Sequence, residues 1–236
     1  VVSSQPPDEE FQQLAVAVWV LDSSITEPSI YDIYRVGKST NLAEAKKNIH
    51  VEIKKEGLEF VLEKIELPLI PILRRMEQRG IAIDRVFLKK LSQEYHRELE
   101  KIAKRIYQAA GGEFNISSPK QLGVVLFDTL GLSTKNQKKT ATGARSTRES
   151  ELAKLRGAHP IVADVLLYRE LAKLLSTYID AIPELLDKKN RLHTTFVQTG
   201  TSTGRLASQD PNLQNIPIKT ELGRAVRHAF VGDPGY

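Results

Sequence analysis

Between residues 84 and 112 the chain carries the pattern that most narrows its possible folds. Leu88, Leu91, Tyr95, Leu99, Ile102 and Ile106 follow one another at steps of 3, 4, 4, 3 and 4, the spacing that lines side chains along one face of an α-helix. Asp84 stands where a cap accepts the first free backbone N–H groups. Gly111 and Gly112 stand where a helix end needs a residue that tolerates positive φ. The spacing predicts a long amphipathic helix with one buried seam. The same period recurs on either side. Ile65, Leu69, Ile72, Leu73 and Met76 precede it and Gly80 closes them, with Pro68 and Pro71 expected in the first turns, where proline is best tolerated. Val162, Val165, Leu166, Leu171, Leu174, Leu175 and Tyr178 follow Pro160.

The rest of the chain fills in around these helices. Residues 1–10 are polar with two prolines and read as a disordered entry. The apolar run 11–21 reads as a buried helix, because alanine recurs in it, and 27–57 as short helical pieces. Ser118, Pro119 and Gln121 match a capping box with proline at the first helical position, which predicts a helix to about Leu130. Residues 133–148 hold five basic and no acidic residues and no apolar period, so an exposed loop is expected. Ser146 with Glu149 suggests a second capping box and a short helix to Leu155. Residues 191–198 alternate and are β-branched, which predicts a strand. The expected fold class is mainly α with a small β part (α+β), without internal repeats.

Charge divides the chain. Residues 1–57 hold 6 Lys/Arg against 9 Asp/Glu, whereas the whole chain holds 34 against 29, so the remainder is strongly basic. Excess positive charge suits a polyanion such as nucleic acid, though an ordinary basic protein has the same balance. Cysteine is absent, which removes disulfides and thiolate metal sites and fits a cytoplasmic protein. No run of about 20 apolar residues is present, so no membrane span is expected.

Several segments resemble, in order, the motifs of family A DNA polymerases of the bacterial polymerase I type. TSTGRLASQDPNLQNIP at 201–217 resembles the family's TGRLSS…DPNLQNIP, with Ala207 where the family usually has serine. IELPLIPILRRMEQRGIAID, FNISSPKQL, KTATGARST followed by AHPIV, YRELAKLLSTYID and GRLHTTFVQT-like RLHTTFVQT complete the set. The resemblance covers roughly 58–236. It implies three parts: 1–57 as the C-terminal remnant of a 3′–5′ exonuclease-like domain, 58–190 as a long-helix thumb, and 191–236 as the first strands of an incomplete palm.

A thumb holds duplex DNA by its backbone without reading sequence, a task for cations, hydroxyls, side-chain amides and helix starts. The resemblance implies such contacts for Asn115, Ser117, Ser118 and Lys120, and for Lys138, Lys139 and Arg145 (with Lys135) on a clamping loop. Taken alone, Ser118 is a helix cap and the lysines a solvated loop. Lys173 corresponds to a primer-side contact and Lys219 to a phosphate contact. Arg205 matches an arginine near the primer end, where minor-groove acceptors occur on every base pair. Asn212, Gln214 and Asn215 offer amides that donate and accept, although Asn212 after Pro211 is also a natural turn residue. Arg224 and Arg227 fit a surface face as well as a DNA contact, and His193 reads as structural.

The family's nucleotide addition uses two divalent ions held by aspartates, in DYSQIELR-like and HDE-like motifs. Neither occurs in these 236 residues, and Asp233 sits in a Gly/Pro turn. No catalytic or metal-binding residue is therefore expected here. Magnesium is implied for the complete polymerase only, and the missing palm and fingers are expected as partners, in the same or a separate chain. The exonuclease's Tyr-x-x-x-Asp element is absent too: Arg35 and Lys38 follow Tyr31 and Tyr34 by four residues. The expected role is gripping primer–template duplex, without polymerisation. The alternatives are a stand-alone DNA-binding module or half of a split polymerase.

Overall fold

The computed structural model describes residues 9–133, 138–140 and 143–232; most of the entry at 1–10, together with Lys135 and Asp233, lies outside them. Packing separates two compact units, residues 1–81 with 187–215 and residues 82–186 with 216–236. These units follow packing, whereas the divisions at 57 and 190 follow motif parentage, and the two schemes cut the chain at different places.

The first unit is built on α1 (Glu9–Leu21), α2 (Ile30–Val36) and α3 (Leu42–Lys55). Leu14, Val18, Ile33, Ile49, Ile53, Leu62 and Ile70 form one apolar cluster, so the alanine-rich run is the buried helix its composition predicts. Ser29 caps α2 in a full capping box with Asp32. At Gly37, after α2, an added Cβ would lie 2.6 Å from the Ala45 backbone, so only glycine permits that approach.

A π-helical segment, Val61–Glu66, runs without a break into α4 (Leu67–Arg79). Pro68 falls in the first turn of α4, as expected, and Pro71 one turn further in, but the helical run itself begins earlier, in the π segment. Pro68 and Pro71 lie inside a continuous run. A proline ring crowds the carbonyl four residues back and leaves it without a donor. In the π segment the register is five, as where Leu67 N–H donates to the Leu62 carbonyl, and this wider turn just before Pro68 relieves the crowding.

The strand expected over 191–198 is two short strands, β2 (Arg191–Leu192) and β3 (Thr195–Val197), because side chains hold the residues between them. The His193 ring contacts the Glu77 carbonyl through Nδ1 at 2.7 Å, and the Thr194 hydroxyl lies 2.9 Å from the Gln209 carbonyl and 2.8 Å from that of Pro211. β3 pairs antiparallel with β4 (Ala207–Gln209), Phe196 opposite Ser208.

In the second unit β1 (Ile81–Ile83) pairs antiparallel with β5 (Phe230–Val231) through Ala82 and Ile83. The long helix is α5 (Arg85–Ala110): Asp84 Oδ1 accepts from Phe87 N–H at 2.8 Å, and Gly111 closes it at φ +77°. Its seam is buried at Leu88, Leu91, Tyr95, Ile102 and Ile106, whereas Leu99 is only half-buried. α5 packs on α8 (Pro160–Leu174), which buries Ile161, Val162, Val165, Leu171 and Leu174. Arg105 forks onto Asp164 across that contact, Nη2 to Oδ1 at 2.6 Å. The Tyr95 hydroxyl donates to the Leu222 carbonyl at 3.0 Å, and burial pushes its pKa up to about 12. The short α6 (Pro119–Gly123) continues as a π-helical turn to Thr129 before Gly131, as the pattern predicts. The unit also holds α7 (Glu149–Ala153), α9 (Glu221–Arg227) and short helical turns at Leu175–Ile179 and Ile182–Leu185. The chain is mainly α with a small β part, and among the described residues no helix is long and apolar enough to cross a membrane.

Candidate nucleic-acid interface

In the second unit three stretches far apart in sequence line one groove of about 1180 Å³. The stretch at 117–128 supplies Ser117, Lys120 and Phe127. The segment at 139–148 supplies Lys139, Arg145 and Arg148. The last turns of α8 supply Arg169 and Lys173. Of the residues singled out from sequence, Ser117, Lys120, Lys139, Arg145 and Lys173 are thus brought together.

Asn115 and Ser118 hold the loop that leads into the groove. Asn115 Oδ1 accepts from Ser117 N–H at 3.0 Å, and Ser118 Oγ accepts from Gln121 N–H. The reciprocal half of the expected capping box goes elsewhere: Gln121 Oε1 accepts from Asn115 N–H at 2.7 Å.

In the segment expected as a plain exposed loop, the described residues 138–140 and 143–148 are bonded to one another and partly buried. Lys139 and Arg145 form an antiparallel bridge, and Ser146 N–H donates to the Lys138 carbonyl at 2.9 Å. Ser146 and Thr147 are buried. Ser146 does not cap α7 through Glu149; its hydroxyl accepts from Arg148 N–H, and Arg148 occupies the cap position without a side-chain bond.

Buried Glu151 anchors the base of this segment. It takes the Lys138 backbone N–H at 3.0 Å and the Lys154 ammonium at 2.8 Å. These donors, Lys154 first, hold its carboxyl below the usual glutamate range. The half-buried Arg169 donates to the Thr147 carbonyl, and burial lowers its pKa from the ordinary arginine value. The Lys138 side chain is exposed.

Among the lining residues not singled out from sequence are Phe127, Asp128, Arg148 and Arg169. Arg169 stands one helical turn before Lys173, a spacing that could have marked it. Phe127 and Asp128 become visible only through Arg145, whose guanidinium carbon sits 4.6 Å from the Phe127 ring centre while Nη2 meets Asp128 Oδ1 at 2.5 Å.

The motif at 201–217 begins in the first unit as a tight, internally bonded turn. The Thr201 hydroxyl donates to the Arg205 carbonyl at 2.8 Å, and Trp19 Nε1 donates to the Thr201 carbonyl at 2.9 Å. Gly204 takes φ +76° and the Asp210–Pro211 bond is cis. Asn212 Oδ1 accepts from Gln214 N–H at 3.1 Å, and the Gln214 amide donates to the Leu206 carbonyl. Ala207, the departure from the family pattern, pairs with Val197. Arg205 and Asn215 are exposed.

In the second unit Lys219 is exposed and its carbonyl accepts from Arg224, as does that of Ile218, both at 3.2 Å. Arg224 thus folds back on its own loop. His193 is structural, as read: its Nε2 meets Asp187 Oδ2 at 3.2 Å. Among the described residues no three His, Asp or Glu side chains cluster as metal ligands would.

Comparison with known proteins agrees with the motifs. A model of DNA polymerase family A matches residues 85–236. DNA polymerase I of Synechocystis sp. is 53% identical over 175 residues, covering 74% of this chain and 18% of that protein. The thermostable DNA polymerase I of Thermus aquaticus is 47% identical over 182 residues, covering 77% and 22%. The chain thus spans about a fifth of these relatives' length. The POL domain of Pol1 from M. smegmatis, solved in complex with DNA primer-template and dNTP, superposes with a TM-score of 0.82 at 32% identity, over 94% of this chain and 41% of that one.

Proposed function

The chain belongs to DNA polymerase family A, and on that premise we propose that these residues grip primer–template duplex for such a polymerase. The observation that carries this is the groove. Lys120, Lys139, Arg148 and Lys173 converge there from three stretches of chain, beside the Ser117 hydroxyl. Ammonium and guanidinium groups round a groove meet backbone phosphates whatever the base sequence. The DNA complex of the M. smegmatis domain supports the same reading.

In this reading Ser117, Ser118, Lys120, Asn115, Lys138, Lys139, Arg145 and Lys173 lie along phosphates. Arg205 reaches minor-groove acceptors, and Asn212, Gln214 and Asn215 lie near the primer end. Lys219 holds a further phosphate. The two carboxylate motifs of nucleotide addition do not occur in these 236 residues. The described side chains offer no fitting metal site, so no step of nucleotide transfer is assigned to them. These residues on their own are expected to hold DNA without extending it.

The test is fluorescence anisotropy of a labelled primer–template duplex, titrated at several salt concentrations. Each neutralised phosphate adds about 0.9 to the slope of log K against log salt. The triple variant K120A/K139A/K173A should lose about 2.7 of slope. Binding that ignores both salt and these lysines would refute the reading.

A further inference from the structure

The groove contains one acidic residue among its cations. Its lining includes Lys120, Lys139, Arg145, Arg148 and Lys173, and against them stands Asp128. That carboxylate is bonded to Arg145, Nη2 to Oδ1 at 2.5 Å, and the same guanidinium lies over the Phe127 ring, 4.6 Å from its centre. Backbone pairing fixes the base of the arginine: Lys139 bridges to it, and Thr140 N–H donates to the neighbouring Ala144 carbonyl at 2.7 Å. The arginine is therefore held from three sides by the protein itself.

A carboxylate and a phosphate present nearly the same pair of oxygens to a guanidinium fork. One Arg145 edge cannot serve both with full strength. We propose that Asp128 is an internal competitor for phosphate: it parks Arg145 on Phe127 in the free protein and releases it when duplex enters the groove. This rests on the groove being the duplex-binding surface.

The energetics make the exchange feasible. The Asp128 side chain is 63% exposed and that of Arg145 35%, and exposed ion pairs are weak because water screens them. A phosphate can displace such a partner at small cost. Phe127 does not compete, because a guanidinium bonds through its edge while its face stays on a ring. The ring can hold the plane of Arg145 steady while the edge changes partners. Until that exchange Asp128 lowers the positive field of the groove, so a polyanion bringing several phosphates is favoured over a lone anion. Asp128 is thus a positioning residue for Arg145.

The experiment is a double-mutant cycle in the anisotropy assay, using wild type, D128N, R145A and D128N/R145A with one labelled primer–template duplex at several salt concentrations. Asparagine keeps the shape of Asp128 and removes its charge. D128N should bind about two- to fivefold tighter, the factor released when an exposed ion pair no longer competes. Its salt slope should be steeper by up to about 0.9, one phosphate's worth. In the R145A background the same change should have no effect, and thermal melts of all four proteins check that each is folded. The proposal is overturned if D128N binds no tighter, or if the gain survives in R145A, which would make it a general charge effect. If wild type and the triple lysine variant bind alike, the groove reading itself fails and takes this proposal with it. If wild type binds through the lysines and D128N changes nothing, only the role of Asp128 is lost.

Discussion

The groove at 117–173 and the turn at 201–215, both proposed to meet duplex DNA, are built in opposite ways. The groove gathers cations from three stretches of chain, and buried or polar neighbours bond the backbone beside them. Glu151 fixes the Lys138 amide, Arg169 fixes the Thr147 carbonyl, and Asn115 fixes the Ser117 amide. The turn is one contiguous motif, and there the candidate contact residues are themselves the fasteners. Asn212 bonds Gln214, and Gln214 bonds Leu206. Arg205, Asn212, Gln214 and Asn215 are all exposed, but Asn212 and Gln214 also bond within the turn. A motif that is specific at sequence level can thus be specific for two reasons at once, its own geometry and its ligand. A dispersed site separates the two.

The largest expected effect tests whether the groove depends on its helical frame. Ile102 is fully buried in the α5 seam, so Ile102→Ala should cost about 2–5 kcal/mol in chemical denaturation. If its denaturation midpoint matched wild type, the seam would not be what holds the groove's walls. A smaller effect separates the two jobs inside the turn. Asn212→Ala removes the acceptor for the Gln214 backbone N–H and should cost about 1 kcal/mol of stability. Arg205→Ala should leave stability within about 0.5 kcal/mol, as for exposed surface changes, and lower duplex affinity and salt slope instead. The contrast fails if Arg205→Ala destabilises as much as Asn212→Ala does.

The same contrast explains what was legible in the sequence. The α5 seam, its Asp84 cap and its Gly111 end were readable because helix spacing and caps are local, and five of the six seam residues are buried. Leu99 is the exception, since packing partners and not period decide depth. The helical run before Pro68 was not foreseen, because a π-helical turn can absorb a proline that an α-helical register rejects. The strand at 191–198 broke in two because His193 and Thr194 find partners far away in sequence. The lysines of the groove could be named one by one from motif resemblance. Their convergence, and the intrusion of Asp128, arise only when 117–128, 139–148 and 169–176 are folded together.

The smallest effect lies at the base of the turn's own unit and has a defined sign. His193 contacts the Glu77 carbonyl and the Asp187 carboxylate, and these bonds, the carbonyl first, raise its pKa above 6.5, with nearby Arg191 opposing. Asp187 is held below 3.8, first by the Arg191 backbone N–H and also by His193. A raised histidine stabilises fully at pH below its unfolded value, and that share is lost as pH rises through the folded pKa. A lowered aspartate stabilises above its unfolded value, and its share is lost as pH falls through the folded pKa. Both shares are therefore present together between pH 3.8 and 6.5. The difference in urea midpoint between wild type and His193→Ala should be largest in that window and shrink towards pH 8. Because both side chains are more than a third exposed, water screens the pair and the difference should be small. A midpoint difference that stays flat from pH 5 to 8 would mean that His193 holds β2 and β3 by shape alone.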